Sequence, residues 1–76
     1  MSKMIIKFDT PEDIQQFVNI VENYPYEMDL VRGKFIVDAK SLLGIMNLGV
    51  NNEITLNVYS EICDELKTEI SQYIAA

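Results

Sequence analysis

The spacing of apolar residues switches between two periods along this chain, and that switching limits the fold more than any single residue does. In "YEMDLV", residues 26–31, Tyr26, Met28 and Leu30 alternate with Glu27 and Asp29. In "EITLNVY", residues 53–59, Ile54, Leu56 and Val58 alternate with Thr55, Asn57 and Tyr59. A period of two puts the apolar side chains on one face of a strand and leaves the other face to water. Elsewhere Ile14, Phe17, Val18 and Val21 fall at i, i+3, i+4 and i+7, the stripe of a helix that buries one side. Strands with a single buried face need a cover, and amphipathic helices provide it.

Local signals place the remaining elements. "KMIIKF", residues 3–8, reads as a first strand ending at Asp9. Thr10 is a good N-cap, Pro11 suits the first helical position, and Glu12 and Asp13 favour the positive end of the helix dipole. Tyr24-Pro25 stops that helix. Arg32-Gly33 marks a tight turn after the strand at 26–31, with "KFIVDA", residues 34–39, as the returning strand of a hairpin. A short helix begins at Leu42. The segment 60–76, "SEICDELKTEISQYIAA", reads as a helix to the end of the chain, with Ser60 as cap and an apolar face of Ile62, Leu66, Ile70, Tyr73 and Ile74. The order β-α-β-β-α-β-α is that of an α+β open-faced sandwich: four antiparallel strands with helices on one face.

Composition limits the chemistry. Seventy-six residues suit one domain, 1–76. A domain this small buries only about 60% of its unfolded surface, which leaves little room for an internal cavity. Six basic residues against twelve acidic ones give a net charge of −6, which disfavours nucleic acid and anionic membrane as partners. The single cysteine, Cys63, has no internal disulfide partner and no companion metal ligands, and the cytoplasm is the expected compartment. The amino-terminal residues are too polar for a signal peptide, and no apolar run approaches the length of a membrane span. There is no histidine. Mechanisms that use an imidazole as base, nucleophile or phosphoryl carrier are thereby excluded. No cofactor or metal is expected.

"AKSLLGIMNLGV", residues 39–50, then stands out. A lysine and a serine precede six large apolar residues interrupted by Gly44 and Gly49. The pattern closely resembles the segment around the regulatory serine of HPr, the phosphocarrier family of the sugar phosphotransferase system. The element order is also similar to that family's, over nearly the whole chain. The resemblance implies an HPr-like open-faced β-sandwich and a protein that acts through other proteins. In the family the phosphocarrier histidine opens the first helix and is followed by an arginine. Counting back from Ser41, those positions fall on Thr10 and Glu12, so both functional residues are absent. The combination resembles HPr-like members of the Crh type, which lack the histidine and keep the serine.

By that resemblance Ser41 is a candidate site of regulatory phosphorylation, and HPr kinase or a transcriptional regulator is the implied partner. From its residues alone Ser41 is an N-cap, and the two roles are compatible. Lys40 supplies a cation beside it. Ile45 and Leu48 share one helix face, while Leu42, Leu43 and Met46 cluster on another. The resemblance makes this second cluster a partner-docking surface; the alternative is that the chain buries it, as in a homodimer. Two other readings stay open. One is a small-molecule-sensing, ferredoxin-like regulatory module, which would need a strand after the last long helix. The other is an HPr-fold interaction protein unrelated to sugar uptake. None of these is an enzyme. Cys63, beside Asp64 and Glu65, reads as a small, partly buried residue and not a nucleophile.

Overall fold

The alternating segments pair into one antiparallel sheet. The computed structural model describes residues 1–75 and contains β1 (Ser2–Lys7), α1 (Pro11–Val21), β2 (Met28–Arg32), β3 (Phe35–Asp38), α2 (Leu42–Leu48), β4 (Glu53–Val58) and α3 (Asp64–Glu69), followed by a 3-10 turn at Ser71–Tyr73. The strand order is β1-β4-β2-β3, so β4, the last strand in sequence, lies inside the sheet between β1 and β2. Leu30, Leu56 and Met4 share one register line and are all buried, as the period of two requires. Helices and core lie on that face, and the other face is open.

The α1 start matches its residue chemistry. The Thr10 side chain accepts from the Asp13 amide at 3.2 Å, and the Asp13 carboxylate accepts from the Thr10 amide at 3.2 Å and the Asp9 amide at 2.9 Å. This reciprocal capping satisfies amides that the first turn leaves unpaired. The helix buries Ile14, Phe17, Val18 and Val21 and ends three residues before Tyr24. The core beneath it joins Phe8, Phe17 and Tyr73 in tilted or edge-to-face pairs, with ring centroids 5.2 to 5.9 Å apart, an arrangement favoured by ring quadrupoles.

The segment after β4 departs from expectation. The helix expected over 60–76, with Ser60 as cap and Ile62 on its buried face, is not formed over the described part of that segment, and Ala76 lies outside the described residues. Ser60 instead closes a local turn, its hydroxyl accepting from the Ile62 amide at 3.2 Å. Ile62 is 76% exposed, and Cys63 is buried in its place. The buried set is therefore Cys63, Leu66, Ile70 and Tyr73, a continuous i+3, i+4, i+3 stripe in which a thiol acts as a small apolar side chain. After α3 the chain turns back along β1: Ile74 bridges to Ile6, and the Ala75 amide donates to the Ile5 carbonyl at 2.7 Å. The contact is a single bridge and not the strand that a ferredoxin-like order would place there. Among the described residues no helix is long and apolar enough to cross a membrane.

Candidate functional site

The corner between β3 and α2 is assembled by short-range hydrogen bonds. Asp38, the last residue of β3, accepts twice: from the Lys40 amide through Oδ1 at 2.8 Å and from the Ser41 amide through its carbonyl at 3.0 Å. That turn delivers Ser41 in an extended conformation at the N-cap of α2, where its Oγ accepts from the Gly44 amide at 3.3 Å. Gly44 is required for proximity. A Cβ there would lie 3.1 Å from Ser41 Oγ and 3.2 Å from Val37 Cβ, both closer than packed side chains normally approach.

The far end of α2 is held by Arg32. Its Nη1 donates to the Leu48 carbonyl at 2.8 Å and its Nη2 to Asn52 Oδ1 at 3.3 Å. Arg32 thus satisfies a carbonyl that the helix terminus leaves unpaired. The sequence marks Arg32 only as a turn residue, because its partner lies on an element sixteen positions away. Gly49 ends the helix at φ +83, a left-handed value that favours glycine.

The expected site residues separate. Ile45 and Leu48 are buried against the sheet. Leu43 is 80% exposed and Met46 44% exposed, side by side on the outer face of α2. Leu42 does not join them in the open; it is half-buried and packs against the core. Lys40 is also not a free cation beside Ser41. Its ammonium donates to the Tyr24 carbonyl at 2.7 Å, tying the end of α1 to the start of α2. Ser41 itself is partly exposed. Next to Lys40, Tyr24 and Tyr26 stack with centroids 5.9 Å apart. Among the described residues the buried Tyr24 hydroxyl has no hydrogen-bond partner. Burial first, and then the Glu69 and Glu65 carboxylates, push its pKa up to about 12.

Thr10 and Glu12 lie at the start of α1. There the Asp13 carboxylate already occupies the Asp9 and Thr10 amides, and Glu12 adds a second negative charge in the same turn. A phosphate brought to this helix start would meet carboxylates. Between β3 and α2 lies a groove of about 380 Å³ lined by Arg32, Phe35, Val37, Gly44, Asn47 and Leu48. No group of three or more potential metal ligands converges among the described residues.

A family model described as "PTS HPr component phosphorylation site" matches residues 13–76. The chain belongs to the HPr family. The match begins just past Thr10 and Glu12, and it contains the whole Ser41 corner. Solved HPr structures share the fold. An HPr from Thermoanaerobacter tengcongensis superposes with a TM-score of 0.78 at 22% identity, covering 95% of this chain and 89% of that one. The phosphocarrier protein HPr of Bacillus anthracis str. Ames gives 0.75 at 18% identity, covering 96% and 95%. A histidine-containing phosphocarrier protein from Mycoplasma gives 0.76 at 12% identity, covering 99% and 100%. At these identities the structures establish the sandwich and its connectivity. No curated protein sequence matches the chain.

Proposed function

We propose that this HPr-family chain is a regulatory binding protein of the phosphotransferase system, cytoplasmic and without phosphoryl-carrier activity, with Ser41 as its switch. The observation that carries the reading is a contrast between two helix starts. The α1 start has no imidazole and is filled by its own carboxylates. The α2 start presents a partly exposed hydroxyl next to two exposed apolar side chains, Leu43 and Met46.

Phosphorylation would add close to two negative charges beside the amides that open α2, where the dipole of even a short helix is favourable. Because Lys40 is bound to the Tyr24 carbonyl, pairing with the phosphate would require it to leave that carbonyl. The modification would therefore loosen the tie between α1 and α2 at the edge of the Leu43–Met46 patch. A protein partner would read both the charge and the patch, in the manner of the Crh-type members the sequence resembles. HPr kinase is the proposed modifying enzyme and a transcriptional regulator the proposed receiver.

Two assays test this reading. Incubation with HPr kinase and ATP, followed by mass spectrometry, should place one phosphate on Ser41 and none on a Ser41→Ala variant. Incubation with phosphoenolpyruvate and the general phosphotransferase should leave no acid-labile phosphate. Stable labelling in the second assay would overturn the loss of carrier activity. Failure in the first, with a kinase verified on another HPr, would reduce Ser41 to a helix cap.

A further inference from the structure

The core-facing side of the sheet runs out from under its helices at the β2-β3 hairpin. Leu30 and Val37 are cross-strand partners, and Arg32 and Phe35 are the next pair on the same face. Along that line burial falls away: Leu30 is buried, Val37 half-buried and Phe35 68% exposed. Phe8 and Phe17 pack ring to ring in the core, whereas Phe35 has no ring partner among the described residues. Phe35 instead lines the groove between β3 and α2, with Val37, Gly44 and Leu48 beside it and Arg32 and Asn47 as the polar members. A second depression, around the turn, is lined by Arg32, Gly33, Lys34 and Phe35. The two meet at Arg32 and Phe35, so one cleft runs from an apolar end to a cationic one.

Charge at this end is the reverse of the chain's balance. The net charge is −6, yet two of the six basic residues flank Gly33, and no acidic residue lines either part of the cleft. Arg32 donates to the Leu48 carbonyl and to Asn52 Oδ1. Both acceptors are neutral, and a guanidinium carries more N–H donors than those two bonds use. Among the described residues neither Arg32 nor Lys34 has an ionic partner; the one ion pair joins the Met1 ammonium to Glu61.

We propose that this cleft binds a small arylalkyl carboxylic acid, its carboxylate at Arg32 and Lys34 and its ring against Phe35, Val37 and Leu48. The groove, about 380 Å³, lies at the lower end of the roughly 300–1,000 Å³ typical of small-molecule sites, which favours a compact ligand over a protein segment. A carboxylate suits the guanidinium fork. As a monoanion it is also opposed less than a phosphate dianion by a chain of net charge −6. An aryl tail adds offset or edge-to-face contact with the free Phe35 ring to the apolar contact that any tail would make. The proposal does not depend on the role of Ser41.

Amide NMR spectra of isotope-labelled wild type, titrated with phenylbutyrate, test it. The shifts should saturate with a Kd on the order of 1 mM, as expected for a ligand of about a dozen non-hydrogen atoms. They should centre on Gly33, Lys34, Phe35, Val37 and Gly44. The neutral amide of the same acid should bind about fivefold more weakly or worse. Lys34→Glu should weaken phenylbutyrate binding by about fivefold and Phe35→Ala by about tenfold. Arg32 is left unchanged in the test because it also caps α2. Both substituted side chains are exposed, circular dichroism checks the fold of each variant, and either variant serves if the other does not fold. Shifts that do not saturate, or that centre on Leu43 and Met46, would overturn the proposal. So would equal affinity for the neutral amide, or wild-type affinity in a folded Lys34→Glu or Phe35→Ala protein.

Discussion

Gly44→Ala is the sharpest test of how the Ser41 corner is built, because two well-known effects oppose each other there. In an unconstrained helix the change is stabilising by about 0.5–1 kcal/mol, since alanine loses less backbone entropy on folding. Here the added methyl would lie 3.1 Å from Ser41 Oγ, 3.2 Å from Val37 Cβ and 3.4 Å from Val37 Cγ1. Val37 is on β3 and has a stiff, β-branched side chain, so it cannot swing away. Overpacking of this kind costs about 1–3 kcal/mol. Crowding should win, with a net loss of about 1 kcal/mol. For a domain of this size that is a drop of roughly 4–8 °C in Tm, and a lower urea midpoint with unchanged slope. The assay is urea and thermal unfolding followed by circular dichroism, in wild type and in a Ser41→Ala background. Removing the hydroxyl should make the alanine at 44 easier to accept, giving a coupling of about 0.5 kcal/mol or more. A Gly44→Ala protein as stable as wild type, or more so, would refute the close-contact reasoning. Strict additivity with Ser41→Ala would show that Val37 alone is the obstacle.

The remaining predictions concern the supports of the site. Thr10→Ala should cost about 1 kcal/mol in urea unfolding by removing one half of the capping pair, while Thr10→Ser should cost less than half of that. Phe17→Ala, at the centre of the aromatic cluster, should cost about 3–5 kcal/mol; a loss under 1 kcal/mol would mean that the cluster is not a packing centre. The folded pKa of Tyr24 lies above its unfolded value of 10. Its contribution to stability is therefore complete below pH 10 and is lost as pH rises from 10 towards about 12. Tyr24→Phe should flatten that part of the stability profile and remove one tyrosine that ionises near pH 12 in a spectrophotometric titration. Loss of a tyrosine that titrates near pH 10 would contradict the burial of its hydroxyl.

Much of the architecture was legible in residue patterns because strands and α1 declare themselves locally. The alternation at 53–59 defined which side of β4 is buried, and Thr10, Pro11 and Asp13 defined where α1 starts. The motif at 39–50 defined α2, its capping serine and its two faces. The final segment was not legible in the same way. Its stripe could be drawn through Ile62 or through Cys63, since both give helical spacing, and hydropathy favours isoleucine. The tertiary structure selected the thiol: the turn closed by the Ser60 hydroxyl leaves Ile62 outside and starts α3 with Cys63 on the buried side.

By themselves the 76 residues determined the class of sandwich, the missing imidazole and the presence of a capped hydroxyl beside an apolar run. Each of these is a property of residue type and near-neighbour spacing. Only the tertiary structure decided that Lys40 is bonded to the end of α1, that Arg32 caps the end of α2, and that Leu42 leaves the exposed patch. Those facts depend on which distant elements become neighbours, and burial against a common core sets that choice after local preferences have been met.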